Sequence, residues 1–491
     1  MSGAQKTGRD DHDQHQPARR SMSRTPEWHR DAKLGIFIHW GIFAVPAYAP
    51  RGATINETIR DHPEDGWARL PYTEWYPNSI RFPQSPAAAH HRATWGERTY
   101  ESFRTEFDAA SQAFDADAWA SLFEAAGAKY AVLVTKHHDG YCLWPTTTPH
   151  PHRPGWHSQR DFVGELAGAV RARGLTFGTY YSGGLDWTFR HHPIGTFGDM
   201  LACVPYEDDY RAYAMAQYRE LIERYDTAML WNDIAYPDEG DREALFAEFR
   251  KARPDGTVND RWLANRGLFT GMRDAAGRAA LDAAITARWS SGAATEAMPD
   301  SGLGDYRTPE YSAELEFGAR DWEACRGMDM SFGFNAQARP EDYLKPDDLI
   351  RSFVDIVAHG GNLLLNMGPH ADGSVPEPQQ RLLRTLGDWL KTNGAAIYGT
   401  RRIATPQGIA SDGTPYRVTS SRDALHVLFM ETPKAARVSL PSIRGARSAT
   451  RPDGGGVTLS GGDVVELGFD TPFGAGPVHV VTLPGARPAG G

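Results

Sequence analysis

The sequence predicts an α/β protein: a (β/α)8-like barrel followed by a C-terminal antiparallel β-sandwich. Three observations predict it. From about residue 30 to 395, short apolar segments rich in β-formers alternate with helix-like stretches, the pattern of a parallel sheet with helical crossovers. The number of such units favours a closed barrel over an open doubly wound sheet. After about residue 400 the texture changes to short alternating strands between Gly, Pro and Asp turns, which suits a sandwich. The 491 residues exceed the roughly 250–300 at which single cores stop growing. Two domains are therefore expected, 25–396 and 397–491, behind a polar tail, 1–24.

That tail, "MSGAQKTGRDDHDQHQPARRSMSR", has no apolar core and is expected to be disordered. The barrel strands are expected at 34–40 (LGIFIHW), 130–136, 176–181, 228–233, 257–262 and 362–367 (NLLLNM). Between them, "FDADAWASLFEAAGA" reads as a helix that Asp115 or Asp117 can cap, with Trp119, Leu122 and Phe123 on one face. "RDFVGELAGAVRARG" reads as a helix closing at Gly174, and "DDYRAYAMAQYRELIERY" as another. Residues 263–304 are Ala- and Gly-rich and read as an insertion with one helix. The sandwich strands are expected at "YRVTSS", "ALHVLFME", "ARVSLP", "GGVTLS", "VVELGF" and "VHVVTL".

A net charge of −10 gives no reason to expect nucleic acid or an anionic membrane as partner. No stretch has the apolar run of a secretory signal or of a membrane span. Cys142, Cys203 and Cys325 lie too far apart in sequence for a disulfide framework. A cytoplasmic protein is expected.

In a barrel of this class, chemistry sits at the carboxyl ends of the strands. The polar residues that end the apolar runs are His39, His137 and His138, Tyr180 and Tyr181, Trp231 and Asp233, and Asn259 and Arg261. Neighbours on a regular strand point to opposite faces. Both histidines can therefore line one pocket only where the strand gives way to its loop, and Asp139-Gly140 signals that loop. Metal ligation, a buried structural pair and hydroxyl binding are the readings open. The nearby Trp, Tyr, Arg and Asn favour hydroxyl binding, being poor metal ligands. Asp233, beside Trp231 and in reach of a cation such as Arg261, would stay ionised. A retaining glycosidase needs such a carboxylate plus a second, protonatable one. Glu310 in "GDYRTPEY" and Glu323 in "DWEACRG" are the candidates.

These residues carry a resemblance. "KLGIFIHWGIFAVPAYAP", "EWYPNSI", "TKHHDGYCLWP", "LWND", "VNDRW", "TPEY", "CRGMDMSFGFN" and "HGGNLLLNMGPHADGSVP" resemble, in order and spacing, the α-L-fucosidases of glycoside hydrolase family 29. The resemblance implies a barrel-like catalytic domain, a C-terminal β-sandwich and a metal-free, cofactor-free retaining exo-fucosidase. Its substrate would be a fucosylated glycan or glycoside, cleaved through a covalent fucosyl-enzyme. Carried over by position, Asp233 is the nucleophile, and His39, Glu74, Trp75, His137, His138, Tyr180, Trp231, Arg261 and Phe332 bind the sugar. Glu310 is the acid/base by its T-x-E-Y context, with Glu323 second. Trp231 and Phe332 suit the 6-methyl edge of fucose.

There are departures. Leu263 stands where the family usually has glycine, and 263–304 is far longer than the usual link. It is expected to reshape the leaving-group side, close over the pocket or make a subunit contact, so a homo-oligomer stays open. The Glu310 assignment requires the chain to resume its register at Gly304-Asp305. Two other functions stay in view: a metal-dependent barrel hydrolase using His39, His137, His138 and Asp233, and a fucose-binding protein without turnover.

Overall fold

The computed structural model describes residues 25–290, 301–311, 320–462 and 464–489. The 1–24 tail and part of the insertion lie outside them. Seven parallel strands form the central sheet: β1 Leu34–Ile38, β2 Tyr130–Lys136, β3 Thr176–Tyr181, β4 Met229–Asn232, β5 Thr257–Val258, β6 Glu323–Gly327 and β7 Asn362–Met367. Their order is β5-β4-β3-β2-β1-β7-β6. Nearly every strand position is buried, as expected for strands covered on both faces. Alternate residues still separate. Ala131 and Leu133 pack with the outer helices, whereas Tyr130, Val132 and Val134 join Phe37, Tyr180 and Trp231 in the inner cluster. The period of two thus divides a helix-facing core from an inner one that contains the site.

The expected eight-fold ring is a curled sheet of seven regular strands, and 305–311 links its two edges. Asp305 N–H donates to the Val258 carbonyl at 2.9 Å, and Cys325 N–H to that of Pro309 at 2.9 Å. Arg307 and Glu310 make parallel bridges with Trp322 and Cys325. Side chains occupy the amides that would extend a regular ladder: Val258 N–H donates to Asp305 and Thr308 N–H to Asp260. The described chain rejoins the sheet at Gly304-Asp305. Gly304 sits at φ +67°, and a Cβ there would lie 1.9 Å from the Asn259 carbonyl oxygen, so only glycine brings the chain in this close.

Asp115, not Asp117, caps the helix Ala116–Ala125, accepting from Ala118 N–H at 2.9 Å. Asp161 caps Phe162–Ala172, and Gly174 follows its end at φ +72°. Among its described residues the insertion forms two helices rather than one, Arg266–Met272 and Ala275–Ser290. Both pack against the helix Phe197–Ala202. The small residues are what allows this: a Cβ on Gly198 would meet Arg278 at 2.7 Å, and one on Gly277 the Gly271 carbonyl at 2.3 Å. Among the described residues no helix is long and apolar enough to cross a membrane.

Beyond the barrel lie β8 Arg401–Ile409, β9 Pro415–Ser420, β10 Ala424–Phe429, β11 Arg437–Leu440, β12 Ile443–Arg444, β13 Val457–Ser460, β14 Val465–Phe469, β15 His479–Pro484 and β16 Arg487–Pro488. They form antiparallel sheets of order β15-β10-β9-β8, β11-β14-β13 and β12-β16. The larger two share a core that includes Val418, Val427, Val438 and Leu467. The sequence reading misses β8, an edge strand whose mostly exposed side chains do not alternate.

Candidate active site

A cavity of about 340 Å³ opens at the carboxyl ends of the strands. Asp233, Glu310 and all nine proposed sugar-binding residues line it. Glu323 does not. It begins β6, at the amino end, fully buried, where it accepts from Tyr130 O–H and pairs with His29 Nε2 at 3.0 Å. Glu310, bridged to Cys325 farther along β6, faces the cavity instead.

Asp233 follows β4 directly. Its Oδ1 accepts from Arg261 Nη1 at 2.9 Å and from Ile234 N–H at 2.9 Å, and its Oδ2 from Tyr180 O–H at 2.8 Å. Ile234 adopts φ +68°. A β-branched residue there is strained, and this turn is what aims the Ile234 N–H at the carboxylate. Burial and the Asp233 charge push the Tyr180 hydroxyl up, so it stays protonated and donates.

Arg261 joins the two carboxylates. Its Nη1 also meets Glu310 Oε1 at 2.5 Å, and its guanidinium covers the Trp231 ring at 4.7 Å. Nε donates to Thr308 Oγ1 at 3.0 Å and Nη2 to the Thr308 carbonyl at 2.9 Å. Thr308 Oγ1 in turn donates to Asp260 at 2.6 Å. Burial opposes the Arg261 charge, but Glu310 and Asp233 outweigh it and raise the pKa well above the usual value. The Asp260–Thr308–Arg261 chain thereby ties the irregular segment carrying Glu310 to the end of β5.

The three histidines are neutral, and two have fixed tautomers. Asn366 Nδ2 donates to the Phe332 carbonyl at 2.6 Å, so its Oδ1 faces His39 Nδ1, also at 2.6 Å, and must accept. His39 Nε2 is then left as an acceptor. Burial lowers the His39 pKa to about 4. Ser182 O–H donates to the Leu185 carbonyl at 2.6 Å, so Ser182 Oγ accepts from His138 Nδ1 at 2.6 Å. His138 Nε2 is likewise an unprotonated acceptor, 3.8 Å from Asp233. Burial, then the Lys136 charge, keep His138 neutral. His137 is driven down by burial and by His138, and its buried Nδ1 lacks a hydrogen-bond partner among the described residues. Among the described residues, His39 Nε2, His138 Nε2 and His137 Nδ1 have no hydrogen-bond partner.

Glu74, fixed in the turn Thr73–Trp75, accepts from Gly333 N–H at 3.0 Å. Burial raises its pKa to about 8 despite that bond. Trp75 meets His138 edge-on at 5.4 Å, and Phe332 lies 4.9 Å from His39. Trp231 is buried with its Nε1 unpaired among the described residues. Among those residues, no group of three His, Cys, Asp or Glu could hold a metal ion. The sequence reading misses Asn366 and Ser182, which act behind the wall, and Asp260, Thr308, Tyr72 and Phe37, which line it. Asp260 and Thr308 fall inside the motifs VNDRW and TPEY, and Tyr72 lies two residues before Glu74 in "YTEW".

The α-L-fucosidase family model matches residues 3–395. The chain is 30% identical to the plasma α-L-fucosidase of Rattus norvegicus, over 88% of this chain and 84% of that one. It is 29% identical to an α-L-fucosidase of Branchiostoma floridae, over 87% and 83%. The crystal structure of Thermotoga maritima α-fucosidase superposes with a TM-score of 0.76 at 35% identity, covering 94% of this chain and 97% of that one. Together with the cavity at the barrel's carboxyl end, these matches show that the chain belongs to the α-L-fucosidase family of glycoside hydrolases.

Proposed function

We propose that this α-L-fucosidase removes terminal α-L-fucose with net retention, Asp233 being the nucleophile and Glu310 the acid/base. One observation carries the reading. A single nitrogen, Arg261 Nη1, touches Asp233 Oδ1 at 2.9 Å and Glu310 Oε1 at 2.5 Å. Those oxygens are therefore no farther apart than the two contacts together, about 5.4 Å. Retaining enzymes hold their carboxyls about 5–5.5 Å apart, and inverting ones about 6.5–9.5 Å.

Asp233 attacks C1 as the leaving oxygen departs with a proton from Glu310, forming the fucosyl-enzyme. Glu310 must leave Arg261 to reach that oxygen. In the second step Glu310 takes a proton from water, whose oxygen attacks C1 and frees Asp233. The Tyr180 hydroxyl and the Ile234 N–H hold the carboxylate at the attack angle and receive its charge on departure. His39 Nε2 and His138 Nε2 accept from sugar hydroxyls, the cavity-facing edge of the His137 ring meets another, and Trp231 and Phe332 wall the methyl edge. Such a site rejects analogues lacking a hydroxyl strongly and those with one extra only weakly. The Thermotoga maritima enzyme, solved in complex with fucose and with a mechanism-based inhibitor, supports fucose as the sugar. Proton NMR of a fresh reaction tests the stereochemistry. α-L-Fucose should appear first, and β-L-fucose first would overturn the double displacement.

A further inference from the structure

The cavity is chemically divided. Outside the sugar set, its wall includes Ile55, Trp67, Phe197, Met200, Ile234 and Leu263. Ile55, Ile234 and Leu263 are only half-buried, so they present branched aliphatic surface to the opening. Among the described residues, Ser301, Asp260 and Thr308 on this side are already engaged. Ser301 Oγ donates to the Asp260 carbonyl at 2.7 Å, and the Asp260 carboxylate holds the Thr308 hydroxyl and amide. Asn56 and Arg307 also have protein partners. A second sugar ring would bring hydroxyls to a wall whose described residues offer few open partners, and unpaired polar groups are costly to bury.

The insertion builds this wall. Leu263 and Ser301 belong to segment 263–304, and its second helix pins Phe197–Ala202, which carries Phe197 and Met200. Gly198 N–H donates to Asp282 at 2.9 Å, and Arg278 pairs with Asp199 at 3.0 Å. Ser301 is bonded to Asp260, whose carboxylate supports Thr308 and, through it, Arg261 and Glu310. Leu263 and Ser301 therefore stand on the Glu310 side, where the leaving group departs, and Phe197 and Met200 line the same cavity on a helix held to the insertion.

We propose that this face is a leaving-group subsite for an apolar alcohol, an alkyl or aryl aglycone, rather than for a second sugar. The proposal rests on the roles of Asp233 and Glu310 given above. It is tested with methyl, butyl and octyl α-L-fucosides and a fucosyl-galactose disaccharide, measuring kcat/KM from released fucose. Alkanols leave no more easily than sugar hydroxyls, so a rise with chain length reports binding. Each buried methylene should multiply kcat/KM by about two- to fourfold, which puts octyl, with seven more methylenes, at least about 100-fold above methyl and above the disaccharide. Met200→Ser, and Asp282→Ala acting through Phe197–Ala202, should lower the octyl-to-methyl ratio about fivefold or more. That ratio cancels losses common to both substrates. A flat series, a disaccharide better than butyl, or an unchanged ratio in both variants overturns the subsite. Inactivity on every fucoside, an activated aryl fucoside included, overturns the underlying mechanism too, and the aryl rate tells the two failures apart.

Discussion

Removing Glu323 should damage the fold, and removing Glu310 should damage the chemistry. Glu323 is fully buried and holds two buried partners, Tyr130 O–H and His29 Nε2. Glu323→Ala strands both, each costing about 1–3 kcal/mol, or about 3–5 kcal/mol together, as for a broken buried pair. Unfolding entropy of about 2.1 cal/mol/K per residue over the barrel's roughly 370 residues turns that into a Tm drop of about 4–6 °C. Glu323→Gln keeps the shape and an acceptor for Tyr130, and should lose about half as much. Glu310 is a quarter exposed at the cavity wall, and without it Arg261 still holds Asp233 and Thr308. Glu310→Gln should therefore melt within about 1 °C of wild type. Its loss should appear instead as about 10²–10⁴-fold in kcat/KM on a fucoside whose leaving oxygen needs a proton. An activated aryl fucoside should form the fucosyl-enzyme readily, accumulate it, and turn over faster with azide, which attacks without a base. Scanning calorimetry with steady-state and burst kinetics on both substrates reads all of this. If Glu323→Gln melts normally yet shows the leaving-group dependence and azide acceleration that Glu310→Gln lacks, the assignment is reversed.

Asp233→Gly should cut turnover by several orders of magnitude and be partly rescued by azide entering the vacated space; wild-type-like rates would end the retaining reading. His137→Ala should weaken fucose affinity about 2–10-fold, the worth of one hydrogen bond, and lower Tm through lost ring packing alone, since its Nδ1 has no partner among the described residues. His138→Ala should weaken affinity similarly and also lower Tm, because Ser182 loses its partner; stoichiometric zinc lost in either variant would refute hydroxyl binding. Fucose affinity should be full between about pH 4 and 8. Below about 4, His39 gains a proton and its acceptor is lost, and above about 8 Glu74 ionises and ceases to donate. Glu74→Gln, fixed in the neutral form, should abolish the alkaline limb in a titration of fucose binding against pH, and its persistence would remove Glu74 from that role.

How far the site is legible in the sequence depends on what each residue interrupts. His39, His137, His138, Trp231 and Asp233 each end an apolar run, because a buried strand turns polar where it meets the cavity, and all parallel strands meet it at the same end. Glu310 sits on no such run. The pairing that would have shaped one is taken by Asp305 and Asp260 side chains, so the segment closing the barrel carries no strand pattern. Glu323 misleads for the complementary reason. β6, EACRG, is too polar to show its direction, and a carboxylate at its wrong end reads like one at its right end. Asn366 shows a different limit. It lies inside the run NLLLNM and looks like a strand residue, yet by donating to the Phe332 carbonyl it decides which nitrogen of His39 carries the proton. That information is held in the angle between two chain segments that the fold brings together, and no single stretch of sequence contains it. The insertion was visible as Ala and Gly, but those residues matter through what they permit. Gly198 and Gly277 let three helices approach closely enough to set the wall that Phe197 and Met200 present to the leaving group. A Gly198→Leu change, which touches no sugar-binding residue, should therefore push Phe197–Ala202 away from Arg278 and alter leaving-group preference before it alters recognition of fucose. Kinetics on alkyl fucosides beside a titration with free fucose would separate the two, and equal losses in both would show that the sugar set and the insertion wall move as one body.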